Sequence, residues 1–366
     1  MNEHGRSGAR PVVDRHATFE GHGTFGVMVS AFERALVRHP RGLRESFYTF
    51  GGRTVRLRVV GEDMAAQIVR PFAHLRLTSA PDAAAELTID LWDEQATGIR
   101  RQVTSFDSDR PWPSVVALSA DERYVAQQQS QTLTCLDRVA QRVVGCAVWN
   151  EHISVYERGK PMTRPLVVWH NDRDVQIVHA GLVAQGGAGV LFAGRSGAGK
   201  STCALACLAA GFDYVSEDYV AVETAADGFL GHSVYSSVFL DREHLGRFPH
   251  LVRHAITAGA SEKSLVLLGD VDPRRLARIV PIRAVAFPRV ANLSASRIRP
   301  ASRREALLTL APGSLLALPN TGVGALDLLG RLVERLPSYW LELGRDLKTI
   351  PERVSEIIAD ASLPPA

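Results

Sequence analysis

The sequence predicts an α/β protein in which a β-rich first part precedes a second part that carries a phosphate-binding loop. One observation is the stretch GRSGAGKST, from Gly194 to Thr202, which fits the pattern G-x-x-x-x-G-K-[ST]. Another is its context, because the apolar run GVLFAG precedes it and the helix-like run STCALACLAA follows it. The last is the alternation of apolar and polar residues in earlier segments such as AELTIDLWD, which is typical of half-buried strands.

Composition excludes several classes of protein. A chain of 366 residues with 46% hydrophobic and 22% charged residues is long enough for two globular domains. The net charge of +3 is too small to indicate a nucleic-acid or membrane partner. No stretch approaches the ~18 apolar residues of a membrane span, and the first residues lack the apolar core of a signal peptide. The four cysteines form no C-x-x-C pair, so we expect a reduced, cytoplasmic protein.

The first part divides into a disordered N-terminus, residues 1–25, and a β-rich domain of unknown role, residues 26–158. The stretch FYTFGGRTVRLRVVG predicts a hairpin that turns at Gly51 and Gly52. AHLRLTS and AELTIDLWD each predict a strand, and DRPWPS predicts a break between later strands. None of these segments carries a chemical signature.

The second part, residues 159–366, begins with LVVWHNDRDVQIVHAG, which we interpret as a helix leading into a strand. AGLVA and GVLFAG are short strands joined by a glycine turn, and the helix after the loop ends at Gly211. SLVLLGD and IRAVAFPRV predict buried strands. GVGALDLLGRLVERL predicts an amphipathic helix, SYWLEL a strand and IPERVSEIIADA a closing helix.

The phosphate loop is credible on physical grounds. Its glycines let successive N–H groups point at phosphate oxygens, and the following helix adds its positive N-terminal end. Lys200 can reach the β- and γ-phosphates, and the Ser201 hydroxyl can bind Mg²⁺. The predicted nucleotide-binding residues are Gly194, Arg195, Ser196, Gly197, Ala198, Gly199, Lys200, Ser201 and Thr202.

An acidic pair, Glu217 and Asp218, follows Ser201 after room for one helix, one turn and one strand. One carboxylate could hold Mg²⁺ and the other could accept the proton of an attacking hydroxyl. The alternative is a solvated acidic turn. Apolar segments on both sides of the pair favour the first interpretation, because a buried charge is costly without a partner.

The stretch His179 to Glu223, HAGLVAQGGAGVLFAGRSGAGKSTCALACLAAGFDYVSEDYVAVE, resembles the catalytic core of the HPr kinase/phosphorylase family and its relatives. The resemblance implies a fold like that of phosphoenolpyruvate carboxykinase and binding of ATP and Mg²⁺ by the loop. It implies that Glu217 is the proton acceptor, that Asp218 and Ser201 lie near the metal, and that His179 and Lys200 act on the transferring phosphate.

The chain also departs from that family. Its acidic pair is Glu-Asp rather than Asp-Asp, and GHSVYSSVFLDREHLGRFPHL lacks the signature that follows the core. The first 150 residues match nothing in the family. These departures indicate a diverged member with a different substrate.

Nine arginines lie between Asp272 and Arg304. They predict either a solvated sheet edge or a rim that attracts an acidic or phosphorylated substrate, and nothing in their pattern favours nucleic acid. Lys263 and Arg283 are the candidates for contacts to the phosphoryl group or the substrate.

The sequence thus predicts an ATP- and Mg²⁺-dependent kinase that phosphorylates a hydroxyl, serine foremost, on a protein, peptide or small molecule. The alternative is a nucleotide-dependent ATPase or switch that acts on a partner, and a degenerate binding module is a third reading. The pattern also allows a homo-oligomer.

Overall fold

The computed structural model describes residues 17–102, 115–257, 263–317 and 322–361. Within these ranges the chain is mixed α/β with three sheets. The strands are β1 (Ala17–Thr18), β2 (Leu43–Phe50), β3 (Arg53–Val60), β4 (Leu87–Asp93), β5 (Val115–Leu118), β6 (Tyr124–Gln128), β7 (Thr132–Asp137), β8 (Arg142–Ala147), β9 (Val175–Gln185), β10 (Ala188–Ala193), β11 (Asp213–Ser216), β12 (Tyr219–Ala225), β13 (Gly228–Ser233), β14 (Ser237–Asp241), β15 (Ala255–Ile256), β16 (Lys263–Leu267), β17 (Ile279–Val290), β18 (Arg297–Pro300) and β19 (Ser338–Leu343). The α-helices are α1 (Gly21–Arg38), α2 (Glu62–Ile68), α3 (Glu94–Thr97), α4 (Val155–Gly159), α5 (Thr163–Asn171), α6 (Lys200–Ala209), α7 (Arg242–Gly246), α8 (Arg303–Ala317), α9 (Gly322–Arg335) and α10 (Thr349–Ala361).

The first sheet has the strand order β1-β5-β6-β7-β8-β4-β3-β2. Helix α1 packs on one face, where Phe32 and Trp92 are fully buried. This helix begins at Gly21, before the boundary at residue 25 that composition predicts. The Glu20 carboxylate accepts the N–H of Gly23 at 2.7 Å, and Met28 and other residues on one side of α1 enter the core.

One predicted strand is wrong, and one predicted break lies outside the described residues. AHLRLTS does not form a strand, because residues Arg70–Leu75 form a 3₁₀ helix with Pro71 in its first turn. Only Arg76 pairs with a strand residue, Tyr48, through an isolated bridge. The break predicted at DRPWPS belongs to the part of the chain that is not described.

The second sheet has the order β10-β9-β12-β13-β17-β19-β18, with β11 paired to β9. Strand β10 also pairs with β17, so five of the strands close into a ring. Strands β10, β17 and β19 are parallel, and the phosphate loop follows β10 at its carboxyl end. Helices α6 and α10 cover one face of the sheet, and α8 and α9 cover the other. Strands β14, β16 and β15 form a small third sheet.

The two large sheets share a core rather than meeting at a gap. Helix α5 packs against β6 of the first sheet and β9 of the second. One continuous cluster of buried side chains joins Phe50 and Leu57 to Trp169, Ile177 and Ala221. The boundary predicted at residues 158 and 159 therefore crosses packed structure.

No helix in the described ranges combines the length and the apolar character that a membrane crossing requires. The four cysteines are unpaired and buried.

Candidate functional site

The phosphate loop links the end of β10 to the start of α6. Gly194, Gly197 and Gly199 have φ of 144°, 78° and 109°, which side chains with a Cβ rarely adopt. Gly199 is also confined by packing, because an added Cβ would lie 2.3 Å from the Leu343 side chain in β19. Backbone and packing thus require glycine at positions that the motif prescribes.

Lys200 folds back onto the loop that precedes it. Its ammonium donates to the Gly194 carbonyl at 2.9 Å and to the Arg195 carbonyl at 3.3 Å. The side chain is only 7% exposed, and burial lowers its pKa, although the charges of Asp218 and Glu217 oppose that shift. A buried cation bonded to neutral carbonyls at a helix N-terminus is an arrangement that suits an incoming anion.

The acidic pair occupies the turn between β11 and β12. The Ser216 hydroxyl donates to the Tyr219 carbonyl at 2.7 Å and accepts the N–H groups of Asp218 and Tyr219. The N–H of Ala180 in β9 donates to the Asp218 carbonyl at 3.1 Å. These bonds fix the turn beside the phosphate loop, so the predicted return of the acids to the loop is what the topology produces.

The two acids have different partners. The Ser201 hydroxyl donates to Glu217, whereas Asp218 contacts Lys160 and His179. Burial raises the pKa of Glu217, and Lys160 only partly offsets it. Burial acts in the same direction on Asp218, but Lys160 and His179 outweigh it and hold the pKa of Asp218 well below its usual value. The surroundings of the two adjacent carboxylates therefore shift their pKa values in opposite directions.

Lys160 is a site residue that the sequence does not reveal. Its ammonium bonds to Asp218, lies 3.7 Å from Glu217 Oε1 and sits over the rings of Tyr219 and Phe239, with centroids 5.0 and 4.9 Å away. Burial would lower its pKa, but the two carboxylates raise it instead. The residue lies before α5, far from the motif, and belongs to no recognisable pattern.

His179 lies between the acidic pair and the loop. Its Nε2 is 2.7 Å from Asp218 Oδ1, and its Nδ1 is buried without a hydrogen bond. Gly313 of α8 faces it, since an added Cβ there would lie 3.8 Å from Nδ1 and 3.5 Å from the Gly194 carbonyl. No pattern in the sequence predicts α8, so this side of the site could not be anticipated.

Thr202 of α6 contacts His244 of α7, Lys263 at the start of β16 lies near that histidine, and Arg283 lies away from the loop. The Thr202 hydroxyl and His244 Nε2 are 2.5 Å apart, and Lys263 lies close enough to His244 to oppose its protonation. Arg283 is exposed and lies beside Gly189, near the start of β10. At ~3.3 Å per residue, four strand residues place it roughly 13 Å from the loop.

Most of the nine arginines are engaged within the protein. Arg289 and Arg297 pair with Glu342, Arg299 with Glu305, Arg274 with Asp272 and Arg275 with Asp213. Arg278 donates to the carbonyls of His74 and Arg76. These contacts match a solvated, internally paired sheet edge better than an anion-attracting rim.

The side chains at the loop are compatible with Mg²⁺. Ser201 and Glu217 present a hydroxyl and a carboxylate side by side, and hard oxygen ligands are those that Mg²⁺ prefers. Among the described residues no group of three or more His, Cys, Asp or Glu could hold a metal. That finding is in keeping with Mg²⁺, which usually takes one or two carboxylates and completes its shell with water and phosphate.

Comparison with known proteins gives little beyond the geometry. No protein-family model matches the chain, and none of the curated proteins matches it. Among solved structures, the Hpr(Ser) kinase/phosphatase from Coxiella burnetii is similar at 11% sequence identity, over 50% of this chain and 95% of that chain, with a TM-score of 0.27. A likeness this weak indicates a distant relation at most, and no argument about function rests on it.

Proposed function

We propose that the protein is an ATP- and Mg²⁺-dependent kinase that transfers the γ-phosphoryl group to a hydroxyl, with serine the leading acceptor. The observation that carries the proposal is that two adjacent acids, the buried Glu217 and the half-buried Asp218, contact different partners. Glu217 faces the loop serine, Ser201, and Asp218 faces Lys160 and His179. Phosphoryl transfer to a hydroxyl needs one group at the metal and another at the attacking oxygen.

On the phosphate side, the loop N–H groups and Lys200 hold the β- and γ-phosphates. Ser201 and Glu217 are the residues that would hold Mg²⁺, which supplies positive charge between the phosphate oxygens. Release of the Lys200 ammonium from the Gly194 and Arg195 carbonyls would let it turn to those oxygens. This step exchanges neutral acceptors for charged ones.

On the acceptor side, we assign the base to Asp218. Lys160 keeps this carboxylate ionised, so it can take the hydroxyl proton while the oxygen bonds to the γ-phosphorus and the bond to the β-phosphate oxygen breaks. His179 orients Asp218 through Nε2. The sequence resemblance implies the reverse, with Glu217 as base and Asp218 at the metal. The contacts of Ser201 favour exchanging those two roles.

The alternative function is a nucleotide-driven switch, and one contact favours it. Lys160 bonds to Asp218 and lies between α4 and α5, and α5 packs on the first sheet. In this alternative, ATP hydrolysis at the loop changes the conformation of the first sheet, and no phosphoryl acceptor is needed.

The decisive experiment incubates the purified protein with γ-labelled ATP, Mg²⁺ and a panel of serine, serine peptides and small carrier proteins. We expect Asp218→Asn to reduce label transfer by at least about 100-fold while ATP affinity stays within a few-fold. Glu217→Gln should instead raise the Mg²⁺ concentration that turnover requires. The opposite pattern would return the base to Glu217. Release of free phosphate, with no acceptor ever labelled, would replace the kinase by the switch.

A further inference from the structure

Three consecutive backbone carbonyls beside the acidic pair each accept a hydrogen bond from a side-chain hydroxyl. Ser237 donates to the Gly159 carbonyl at 2.6 Å, Thr163 to the Lys160 carbonyl at 2.7 Å, and Tyr235 to the Pro161 carbonyl at 2.6 Å. The three carbonyls belong to residues 159–161, which we call the lysine linker because Lys160 is its middle residue. Ser237 and Tyr235 are 1% and 3% exposed. The backbone that carries the Lys160 side chain is therefore fixed by buried donors from outside it.

Packing against the small third sheet also restrains the lysine linker. A Cβ added at Gly159 would lie 2.6 Å from Phe239 Cζ of β14 and 2.7 Å from Leu265 Cδ1 of β16, and both side chains are buried. The Phe239 ring centroid lies 4.9 Å from the Lys160 ammonium. The same ring thus packs on the backbone of the linker and on the charged end of its lysine.

The residue that follows the lysine linker has a left-handed backbone. Met162 has φ 57° and ψ 31°, and it is 3% exposed. A residue with a side chain seldom adopts this conformation, and it persists where the surrounding structure over-determines it. Strain of this kind tends to be retained where a fixed geometry serves function. Here the fixed geometry is the path by which the chain carries Lys160 past Asp218.

The first sheet holds the other end of the lysine linker through α4. Glu157 in this helix is 1% exposed, and its carboxylate accepts the N–H groups of Gln131 and Thr132 at 2.9 and 3.1 Å and the Ser130 hydroxyl at 3.0 Å. These three residues lie at the turn between β6 and β7. Two sheets that carry neither the phosphate loop nor the acidic pair therefore both hold the segment that places Lys160 in the site.

We propose that Ser237 and Tyr235 are positioning residues that set where the Lys160 ammonium meets Asp218, and that the first and third sheets support the reaction through the lysine linker. The inference rests on the proposed kinase function, which makes Asp218 the base. Lys160 contacts Asp218 directly, and a misplacement of about 1 Å in such a constellation can cost roughly 100-fold in rate. The phosphate loop does not belong to the linker, so nucleotide binding should be spared.

Two adjacent buried serines provide a matched test. Ser237→Ala removes the hydrogen bond to the Gly159 carbonyl, whereas Ser236→Ala removes one to the Pro71 carbonyl, which lies outside the linker. Both serines are 1% exposed. We expect Ser237→Ala to lower kcat for label transfer at least about tenfold and to leave KM for ATP within about twofold. Ser236→Ala should change neither value. Equal kcat for the two variants would overturn the proposal.

A double-mutant cycle separates positioning of Lys160 from a general loss of structure. If Ser237 acts through Lys160, Ser237→Ala should have no further effect on the residual kcat of Lys160→Gln. Losses that multiply in the double variant would show that the serine acts independently, and the proposal would fail. If Ser237→Ala does not fold, Tyr235→Phe takes its place in the cycle, because it removes the bond to the Pro161 carbonyl and keeps the ring.

Amine labelling reports the position of Lys160 without turnover. The chain has four lysines, and Lys348 is exposed whereas the Lys160 side chain is only 11% exposed. Each protein is treated with acetic anhydride, and mass spectrometry of its peptides gives the acetylation rate of Lys160 relative to Lys348. We expect this ratio to rise at least about threefold in Ser237→Ala, because local opening exposes the amine, and to stay at the wild-type value in Ser236→Ala.

The labelling result also separates this inference from the kinase proposal. An unchanged ratio in Ser237→Ala would refute the positioning role even if the protein is a kinase. A raised ratio, with no acceptor ever labelled by wild type, would refute the kinase and keep the positioning role. Release of free phosphate by the same variants then replaces label transfer as the measure of kcat. A raised ratio with wild-type kcat would show that the reaction does not depend on where Lys160 lies, and the proposal would be wrong.

Discussion

The two large sheets bury charge in opposite ways. In the first sheet, Asp90 is fully buried, and the guanidinium groups of Arg58 and Arg142 contact it at 2.6–2.7 Å. Arg58 holds both carboxylate oxygens at once, in the bidentate geometry that is strongest for this pair. Each of these charges has its partner within the fold. The cluster is complete as it stands and needs no ligand.

The second sheet leaves its buried charges unevenly matched. Glu217 has a raised pKa beside an acid whose pKa is depressed, and Lys200 is bonded to carbonyls instead of a carboxylate. Ionisable groups with strongly shifted pKa values tend to cluster at functional sites, because catalysis needs acids and bases in a particular protonation state. The difference between the sheets therefore separates architecture from function.

Among these variants, Lys200→Ala should have the largest effect. We expect it to abolish activity and to leave stability nearly unchanged. The lysine supplies the charge that meets the β- and γ-phosphates, so we expect label transfer to fall to background and stabilisation by Mg-ATP to disappear. The free energy of unfolding should change by no more than about 1–2 kcal/mol, because the lost hydrogen bonds are offset by removal of a desolvated cation. Thermal unfolding with and without Mg-ATP measures both. Equal stabilisation of variant and wild type by Mg-ATP would remove the loop from the proposal.

The features of the site that the sequence predicts are those formed by contiguous residues. The loop residues Gly194 to Thr202 are contiguous, and their glycines have the positive φ angles that a phosphate loop needs. The acidic pair was also predictable, because one helix and one strand fix where the chain returns. Whether Glu217 or Asp218 faces Ser201 was not, since that depends on one turn between β11 and β12.

Lys160 and Gly313 could not be found in the same way. Each reaches the site through tertiary packing across sequence separations that no periodic pattern encodes. The segment AHLRLTS shows the same limit, because its alternation suits a strand and Pro71 with tertiary contacts makes a 3₁₀ helix instead. Local patterns predicted the elements, and long-range charge pairing decided the chemistry.

Asp90→Asn should produce the reverse result, with lower stability and unchanged function. Removal of one partner from a buried pair leaves Arg58 and Arg142 without a counter-charge, which typically costs about 3–5 kcal/mol. We expect that loss in denaturant unfolding and no change in nucleotide affinity of the folded protein. Glu86→Gln is the matched control, because its ion pair with Arg53 is about 40% exposed on both sides. It should cost less than ~1 kcal/mol. A similar cost for both variants would show that burial does not decide how much stability an ion pair of the first sheet contributes.

His170 lies at the border between the sheets and should give the smallest effect, one that depends on pH. Its Nδ1 donates to the Leu166 carbonyl at 2.6 Å, its Nε2 is buried without a partner, and the Gly51 turn packs against its ring. Burial lowers the pKa of His170 to about 4, below the ~6.5 of the unfolded chain. The unfolded state therefore binds the proton more readily, and the stability that His170 contributes is present above pH ~6.5 and is lost as pH falls towards 4.

The loss is at most about 3.5 kcal/mol, because the shift spans about 2.5 pKa units and each unit corresponds to ~1.4 kcal/mol. We expect His170→Gln to flatten the decline of unfolding free energy between pH 6.5 and 4, even if it lowers stability at pH 7. His74, whose pKa burial also lowers to about 4, keeps part of the decline in that variant. His152→Gln, at a side chain 75% exposed, should leave the profile unchanged. If the unfolding free energies of wild type and His170→Gln fall in parallel with pH, protonation of His170 does not destabilise the packing between the two sheets. The shared core would then accommodate a charged histidine.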